Sequence, residues 1–429
     1  MWPPSRWSPR QRTVIRLLAV ADFFDNYDAA LVTLALKQIQ EGLAIPDSEL
    51  AAVAGTIRLG MLASFAVTLL ADRFGRRRLL LVSVLGFSVA TFATAFARTP
   101  AEFVWAQLIA RAFIGSEILL ASVVIVEELA ARDRGWGIGL LAALGALGHG
   151  AAAIAFGAID ILPHGWRMLY LLGALPLLVL AWLRRRLPET ERFEQYAATR
   201  PSQEGLREMF RPLIDLFAVY PRRLFCLSLF VFSFDFVHWV AFGFLAKALQ
   251  DVHDYTSGDV ATVVFVGGAI GVLGNLVAGS LGRVVGWRPI LFGMVVCHGV
   301  SAAAFYNGSA AVVPAAWVGI VFAATGIGVV VKALGSELFP TSYRSTAAGM
   351  RLVVATLGGY GGYRAQGALY PLALASLGDT PHAAQLAHGV AITWLLPFLV
   401  IPAVSIFFLP ETAGRELEEI SPEPVERGS

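Results

Sequence analysis

FFDNYDAALVTLALKQIQ, residues 23–40, can be laid over SFDFVHWVAFGFLAKALQ, residues 233–250, and polar letters coincide. Asp25 falls on Asp235, Asp28 on His238, Lys37 on Lys247 and Gln40 on Gln250, each pair 210 positions apart. Apolar segments align through composition alone, but four polar matches at one spacing point to a duplicated unit. The spacing returns further on, pairing Glu127 of EELAARDRG with Glu337 of ELFPTSYRS, and Arg134 with Arg344. LADRFGRRR and LGRVVGWRP match at 211, with Gly75 on Gly286 and Arg77 on Arg288, and LPET stands at both Leu187 and Leu409. The two halves are therefore expected to be structural copies.

Composition says what kind of unit was copied. Of 429 residues 57% are hydrophobic and 15% charged, and the mean hydropathy is +0.66. A soluble domain is nearer half apolar and about a quarter charged. Runs of ~20 apolar residues, enough to cross ~30 Å of hydrocarbon as a helix, recur along the chain. Twelve are read, near 14–37, 50–71, 79–97, 102–126, 136–160, 166–184, 223–247, 258–282, 289–307, 312–335, 345–372 and 388–409. Strands of a β-barrel would alternate apolar and polar letters, and these runs do not. The expected fold is an all-α membrane protein of twelve transmembrane helices in two pseudo-symmetric six-helix bundles. Residues 1–184 form the first half, 185–222 a linker, 223–410 the second half and 411–429 a tail.

Arginine placement sets the expected orientation. Arg6, Arg10 and Arg12 precede the first span, Arg73, Arg76, Arg77 and Arg78 follow the second, Arg132 and Arg134 the fourth, and Arg184, Arg185 and Arg186 the sixth. By the positive-inside rule both termini are expected in the cytoplasm, with the chain crossing the cell membrane many times. The basic, then apolar N-terminus is read as an uncleaved first span, because its apolar run is too long for a signal peptide and no small-residue cleavage site ends it. The net charge of +2 implies no nucleic-acid partner; the expected partners are the lipid bilayer and a small-molecule substrate, and a monomer is expected. Cys226 and Cys297 form no disulfide framework or metal spacing. No nucleophile constellation or phosphate loop is visible, so no enzyme and no cofactor is expected, the proton serving as coupling ion.

At these residues the chain resembles the major facilitator superfamily over essentially its full length. LADRFGRRRLL is similar to the superfamily's loop motif between the second and third helices, with Thr68 where a leading glycine is usual. GSLGRVVGWRP keeps Gly279 and Gly286 but places Arg283 where the first copy has an acid. SELFPTSYRS and LPETAGRELEEI resemble the branch of sugar porters, organic-ion transporters and metabolite:proton symporters. The resemblance implies that Asp72, Arg76, Glu127, Arg134, Glu337 and Arg344 form a charge network that latches the two halves on the cytoplasmic side; the bland alternative is a basic loop that only sets topology. Such a latch suits a bistable element whose charge pairs form in one state only. Two copies enclosing a site near the bilayer midplane, rocking on one another, would give alternating access.

The seventh span, LSLFVFSFDFVHWVAFGF, lacks the glutamine pair typical of sugar porters, and the fifth, GIGLLAALGALGHGAAA, lacks the Gly-Pro pair typical of drug:proton antiporters. DNYD in the first span resembles the DGxD of aromatic-acid:proton symporters, with Asn26 in place of glycine. The expected function is secondary active transport of a small organic metabolite, an organic anion, with protons. A sugar, polyol or drug transporter of the same fold, or a non-transporting membrane receptor, are the alternatives.

Charges inside a membrane span cost ~2.5–3.5 kcal/mol each and call for a purpose or a partner. Asp25 and Asp28, at i and i+3, share one helix face, and two close carboxylates in low dielectric resist simultaneous ionisation, which suits a proton site. Asp235 and His238 repeat them in the second half, and an imidazole titrates near neutral pH. Glu117, standing where RAFIGSEILL would carry a second packing glycine, is a further proton candidate or the partner of an arginine, Arg58 among them. Arg58, Arg111, His149, Tyr360, Tyr363 and Arg364 are the substrate-binding candidates; Arg111 resembles a residue implicated in proton coupling across the superfamily. The alternative for each is ordinary packing or local hydrogen bonding. Lys332 and Arg351 are expected nearer the cytoplasmic ends, their long side chains reaching water.

Overall fold

The computed structural model describes residues 7–64, 75–184, 214–340, 343–413 and 420–421. Among them there is no strand. The helices are α1 (Pro9–Leu34), α2 (Leu36–Gly42), α3 (Asp47–Arg58), α4 (Arg76–Ala95), α5 (Pro100–Glu128), α6 (Ala131–Gly157) and α7 (Trp166–Arg184), then α8 (Pro221–Gly243), α9 (Leu245–Val252), α10 (Ser257–Gly271), α11 (Leu273–Val285), α12 (Trp287–Asn307), α13 (Val313–Glu337), α14 (Arg344–Leu377), α15 (Ala383–Leu395) and α16 (Val400–Ser405).

Local chemistry sets where these helices begin. Ser8 caps α1 through a reciprocal capping box with Gln11, and Pro9 occupies the first turn, where its missing N–H costs nothing. Thr99 caps α5 by accepting from the Glu102 amide, with Pro100 following. The interruptions correspond between the halves: α1 gives way to α2 at Ala35, as α8 gives way to α9 at Phe244.

The chain divides into two compact units, Met1–Gln203 with Thr256–Ala261, and Glu204–Tyr255 with Thr262–Ser429. Within the first, α1 packs along α6, α4 packs on α5 and α7, and α3 leans on α5. Within the second, α8 packs along α14, α12 packs on α13 and on the α15–α16 run, and α11 leans on α13. The pairing scheme is the same in both, as the 210-residue repeat requires.

The closest of these approaches depend on glycine at matching places. A Cβ on Gly148 of α6 would strike the Phe23 carbonyl oxygen of α1, and one on Gly358 of α14 would strike that of Phe232 on α8. The two glycines are 358 − 148 = 210 apart. Small residues at such seams let two backbones come within contact distance.

Eight helices among the described residues are long and apolar enough to cross a membrane by themselves. Neither α1 nor α14 is among them, because α1 carries Asp22, Asp25 and Asp28, and α14 carries Arg351, Arg364 and several glycines. Large apolar side chains elsewhere face outward, with Trp105, Leu276 and Val300 each at least 65% exposed. Such a surface would aggregate in water and suits hydrocarbon. Among the described residues the fold is that of an all-helical membrane protein built of two matching units.

Candidate functional site

Four helices of the first unit converge on Asp28. The carboxylate is 1% exposed; its Oδ1 accepts from the Thr91 hydroxyl of α4 at 3.1 Å, and its Oδ2 lies 3.7 Å from Nη2 of Arg111 on α5. The same guanidinium nitrogen donates to the Asp28 carbonyl and to Oε1 of Gln107, each at 3.4 Å. Gln107 in turn donates to Thr94 of α4 at 3.2 Å. Beside them the Tyr27 hydroxyl donates to the Leu169 carbonyl at 3.1 Å, and the fully buried Tyr170 of α7 lies within electrostatic reach of both Asp28 and Arg111.

The network follows from helix periodicity. Gln107 and Arg111 are four residues apart and so share a face of α5, and Thr91 and Thr94 share the facing side of α4. The helical stretch at 60–64 comes close because Gly60 has no Cβ; one there would crowd the Leu108 carbonyl and the Arg111 side chain. A buried charge pair held this way is costly to break from one side, by about 3–5 kcal/mol, because the other charge is then uncompensated.

Asp25 lies one turn earlier and is equally buried. Asn26 donates to the Asp22 carbonyl and approaches Gly145 of α6, so it serves the α1–α6 seam. Glu117 is 2% exposed, Arg58 half-buried at the end of α3, and His149 half-buried on α6.

In the second unit Arg351 of α14 is half-buried and within electrostatic reach of Asp235 of α8. His238 is buried and stacks on Phe234 with centroids 5.3 Å apart. Tyr363 is buried against Gly243 and Phe244, while Tyr360 is half-buried and Arg364 exposed.

The motif residues at the helix ends form matching bonds within each unit. Arg76 Nε meets Glu127 Oε1 at 3.2 Å; at the corresponding place the Trp287 indole donates to Glu337 Oε2 at 3.0 Å. Arg134 donates to the Leu129 carbonyl at 3.3 Å, and Arg344 to the Phe339 carbonyl at 3.4 Å. The Glu337 carboxylate also accepts from the Thr412 hydroxyl at 2.5 Å. Phe339 lies just past the C-terminus of α13, a favourable place for the Arg344 cation. Asp72 and Thr68 lie outside the described residues, as does most of the 185–222 linker.

Glu411, of the second LPET, caps the start of α12. Burial works to raise the pKa of its carboxyl, but the backbone N–H groups of Arg288, Trp287, Ala413 and Thr412 outweigh burial and hold it below the usual carboxylate value. The ionised form is therefore the stabilising one: its contribution is present above the ordinary carboxylate range and is lost as pH falls through the lowered value. Glu411→Gln is expected to lower stability by about 1 kcal/mol at pH 7, as loss of a helix cap does, with the difference from wild type shrinking toward pH 3 in thermal melts.

Thr91, Gln107 and Tyr170 were not among the candidates read from sequence. The spacing of Gln107 to Arg111 was a usable signal; the proximity of Thr91 and Tyr170 was not, since it depends on which helices touch.

The sequence profile of the Major Facilitator Superfamily matches residues 18–363. The chain is 24% identical over 421 residues to a probable 4-methylmuconolactone transporter of Cupriavidus pinatubonensis (strain JMP 134 / LMG 1197), covering 96% of this chain and 94% of that one. It is 24% identical over 405 residues to the 3-(3-hydroxy-phenyl)propionate transporter of Escherichia coli (strain K12), covering 93% and 96%. A solved bacterial homologue of the human lysosomal transporter Spinster superposes with a TM-score of 0.75 at 17% identity, covering 93% of this chain and 97% of that one.

Proposed function

Because this chain belongs to the Major Facilitator Superfamily, we propose that it carries a small organic acid together with protons by alternating access, with Asp28 as the proton-binding group and Arg111 as the group that answers to it. The observation that carries the reading is the 3.7 Å Arg111–Asp28 pair inside a buried polar network. When Asp28 is ionised it balances the guanidinium. Protonation removes that balance and leaves Arg111 held by Gln107 and a backbone carbonyl, with a positive charge in low dielectric that an anionic substrate can compensate. Proton and carboxylate then favour each other's binding, and linkage makes the effect reciprocal.

Asp25 adds a second acid on the same helix face. The substrate class draws support from the two relatives, whose names denote small carboxylic acids. The arginine distribution supports a cell-membrane protein with both termini in the cytoplasm.

The test is a thermal-shift screen of the purified protein against organic acids, sugars, amines and drugs, followed by proteoliposome uptake of each stabilising compound. Carboxylates are expected to stabilise most strongly, and increasingly as pH is lowered from 8 to 6. Stabilisation confined to sugars or amines, or uptake indifferent to an imposed pH gradient, removes the reading.

A further inference from the structure

Two polar atoms at the Asp28 network are buried and take no hydrogen bond among the described residues. One is Oδ2 of Asp28, which lies 3.7 Å from Arg111. The other is the hydroxyl of Tyr170, on a side chain that is 0% exposed. Buried hydroxyls are ordinarily bonded, so this one calls for a reason.

Three helices hold Tyr170 beside the pair. On the α1 side, Tyr27, next in the chain to Asp28, donates to the carbonyl of Leu169, next in the chain to Tyr170, at 3.1 Å. Gly173 of α7 keeps this seam close, since a Cβ there would come within 3.0 Å of the Tyr27 ring. On the α5 side, the Tyr170 ring meets Phe103 with centroids 6.3 Å apart and planes at 76°. Phe103, Gln107 and Arg111 stand at i, i+4 and i+8, so this ring lies against the side of α5 that carries the guanidinium. Trp166 completes an aromatic corner, edge-on to Tyr170 at 6.0 Å and to Phe103 at 5.8 Å. The corner fixes the ring, and the groups within electrostatic reach of its hydroxyl are Asp28, Arg111 and Tyr27.

We infer that Tyr170 is a substrate contact, its hydroxyl donating to one oxygen of the carboxylate whose other oxygen Arg111 takes. The inference rests on the organic-acid reading above and adds a recognition group to it. Tyr27 is not that donor, because its hydroxyl is bonded to Leu169. The Nη2 of Arg111 makes two long bonds of 3.4 Å, to the Asp28 carbonyl and to Gln107, which a charged acceptor at shorter range outcompetes. Protonated Asp28 supplies a third donor from Oδ2, the oxygen that Thr91 does not engage. Three donors and one positive charge match a carboxylate. A carboxamide, ester or amine would leave the guanidinium uncompensated.

Tyr170→Phe removes one oxygen and keeps the ring between Phe103 and Trp166. Binding of benzoate, 3-phenylpropionate, lactate and succinate to the full-length protein in lipid nanodiscs is measured by calorimetry from pH 8 to 6, beside melts of the ligand-free protein. For the tightest of the four, the variant should bind about 10–100-fold more weakly, the worth of one hydrogen bond to a charged group. Its ligand-free melting temperature should not fall, since the hydroxyl removed has no protein partner. The strengthening of affinity toward pH 6 should survive, because Asp28 is untouched.

An unchanged affinity, with or without a drop in the ligand-free melt, makes the hydroxyl structural and overturns the proposal. Should phenylalanine not be tolerated, 3-fluorotyrosine at position 170 replaces it: the fluorine resonance is expected to shift when the tightest acid binds, and an unmoved resonance overturns the proposal equally. Wild-type affinity that is flat with pH, with the loss in Tyr170→Phe intact, would instead remove the proton role of Asp28 and leave this contact standing. If none of the four acids binds the wild type, the contact and the organic-acid reading fall together.

Discussion

Asp28→Asn is expected to abolish accumulation of substrate against its gradient while exchange of labelled for unlabelled substrate continues. The asparagine is nearly isosteric, keeps a hydrogen-bonding atom for Thr91, and removes the charge that balances Arg111. It thus mimics the protonated acid permanently. A pH gradient of one unit drives about tenfold accumulation per coupled proton, since one pH unit is 1.36 kcal/mol. In proteoliposomes bearing such a gradient, the wild type should approach that ratio and the variant should stop near one. Substrate affinity, which strengthens as pH falls in the wild type, should become flat with pH in the variant. Undiminished accumulation would return Asp28 to a structural role. Arg111→Gln should instead lose binding at every pH, because the group that answers to the anion is gone.

Gly148→Ala and Gly358→Ala should each lower stability substantially. At an unconstrained position in a helix the same change stabilises by roughly 0.5–1 kcal/mol, because alanine is the better helix former. Here the added methyl meets a carbonyl oxygen of the neighbouring helix, at Phe23 or Phe232, which has no rotamer through which to yield. Overpacking of this kind costs about 1–3 kcal/mol, and each kcal/mol is roughly 2–4 °C in melting temperature for a unit of this size. Melts of the two variants by intrinsic fluorescence should therefore fall by similar amounts, since the two seams are copies. A rise in both would mean that α1–α6 and α8–α14 are not packed backbone to backbone.

Much of this architecture was legible because duplication leaves its mark on polar letters. The matches of Glu127 with Glu337 and of Arg134 with Arg344 reappear as the same bonds made twice, Arg134 to Leu129 and Arg344 to Phe339. Helix count and type followed from apolar run length, a property of each segment alone. The site was legible in part: Asp28 and Arg111 stood out as charges in spans that exclude charge. Their meeting was not, because which face of α5 turns toward α1 is decided by packing. Thr91 and Tyr170 carry no charge penalty and so raise no signal in a run of apolar letters.

Lumenal pH decides the central claim most directly. Wild-type protein is reconstituted with a pH-sensitive dye trapped inside the vesicles, at equal pH on both sides, and the organic acid that gave the largest thermal shift is added outside. The account predicts prompt acidification of the lumen, slowed or absent with Asp28→Asn. Entry of labelled substrate at the wild-type rate without any change in lumenal pH would contradict it.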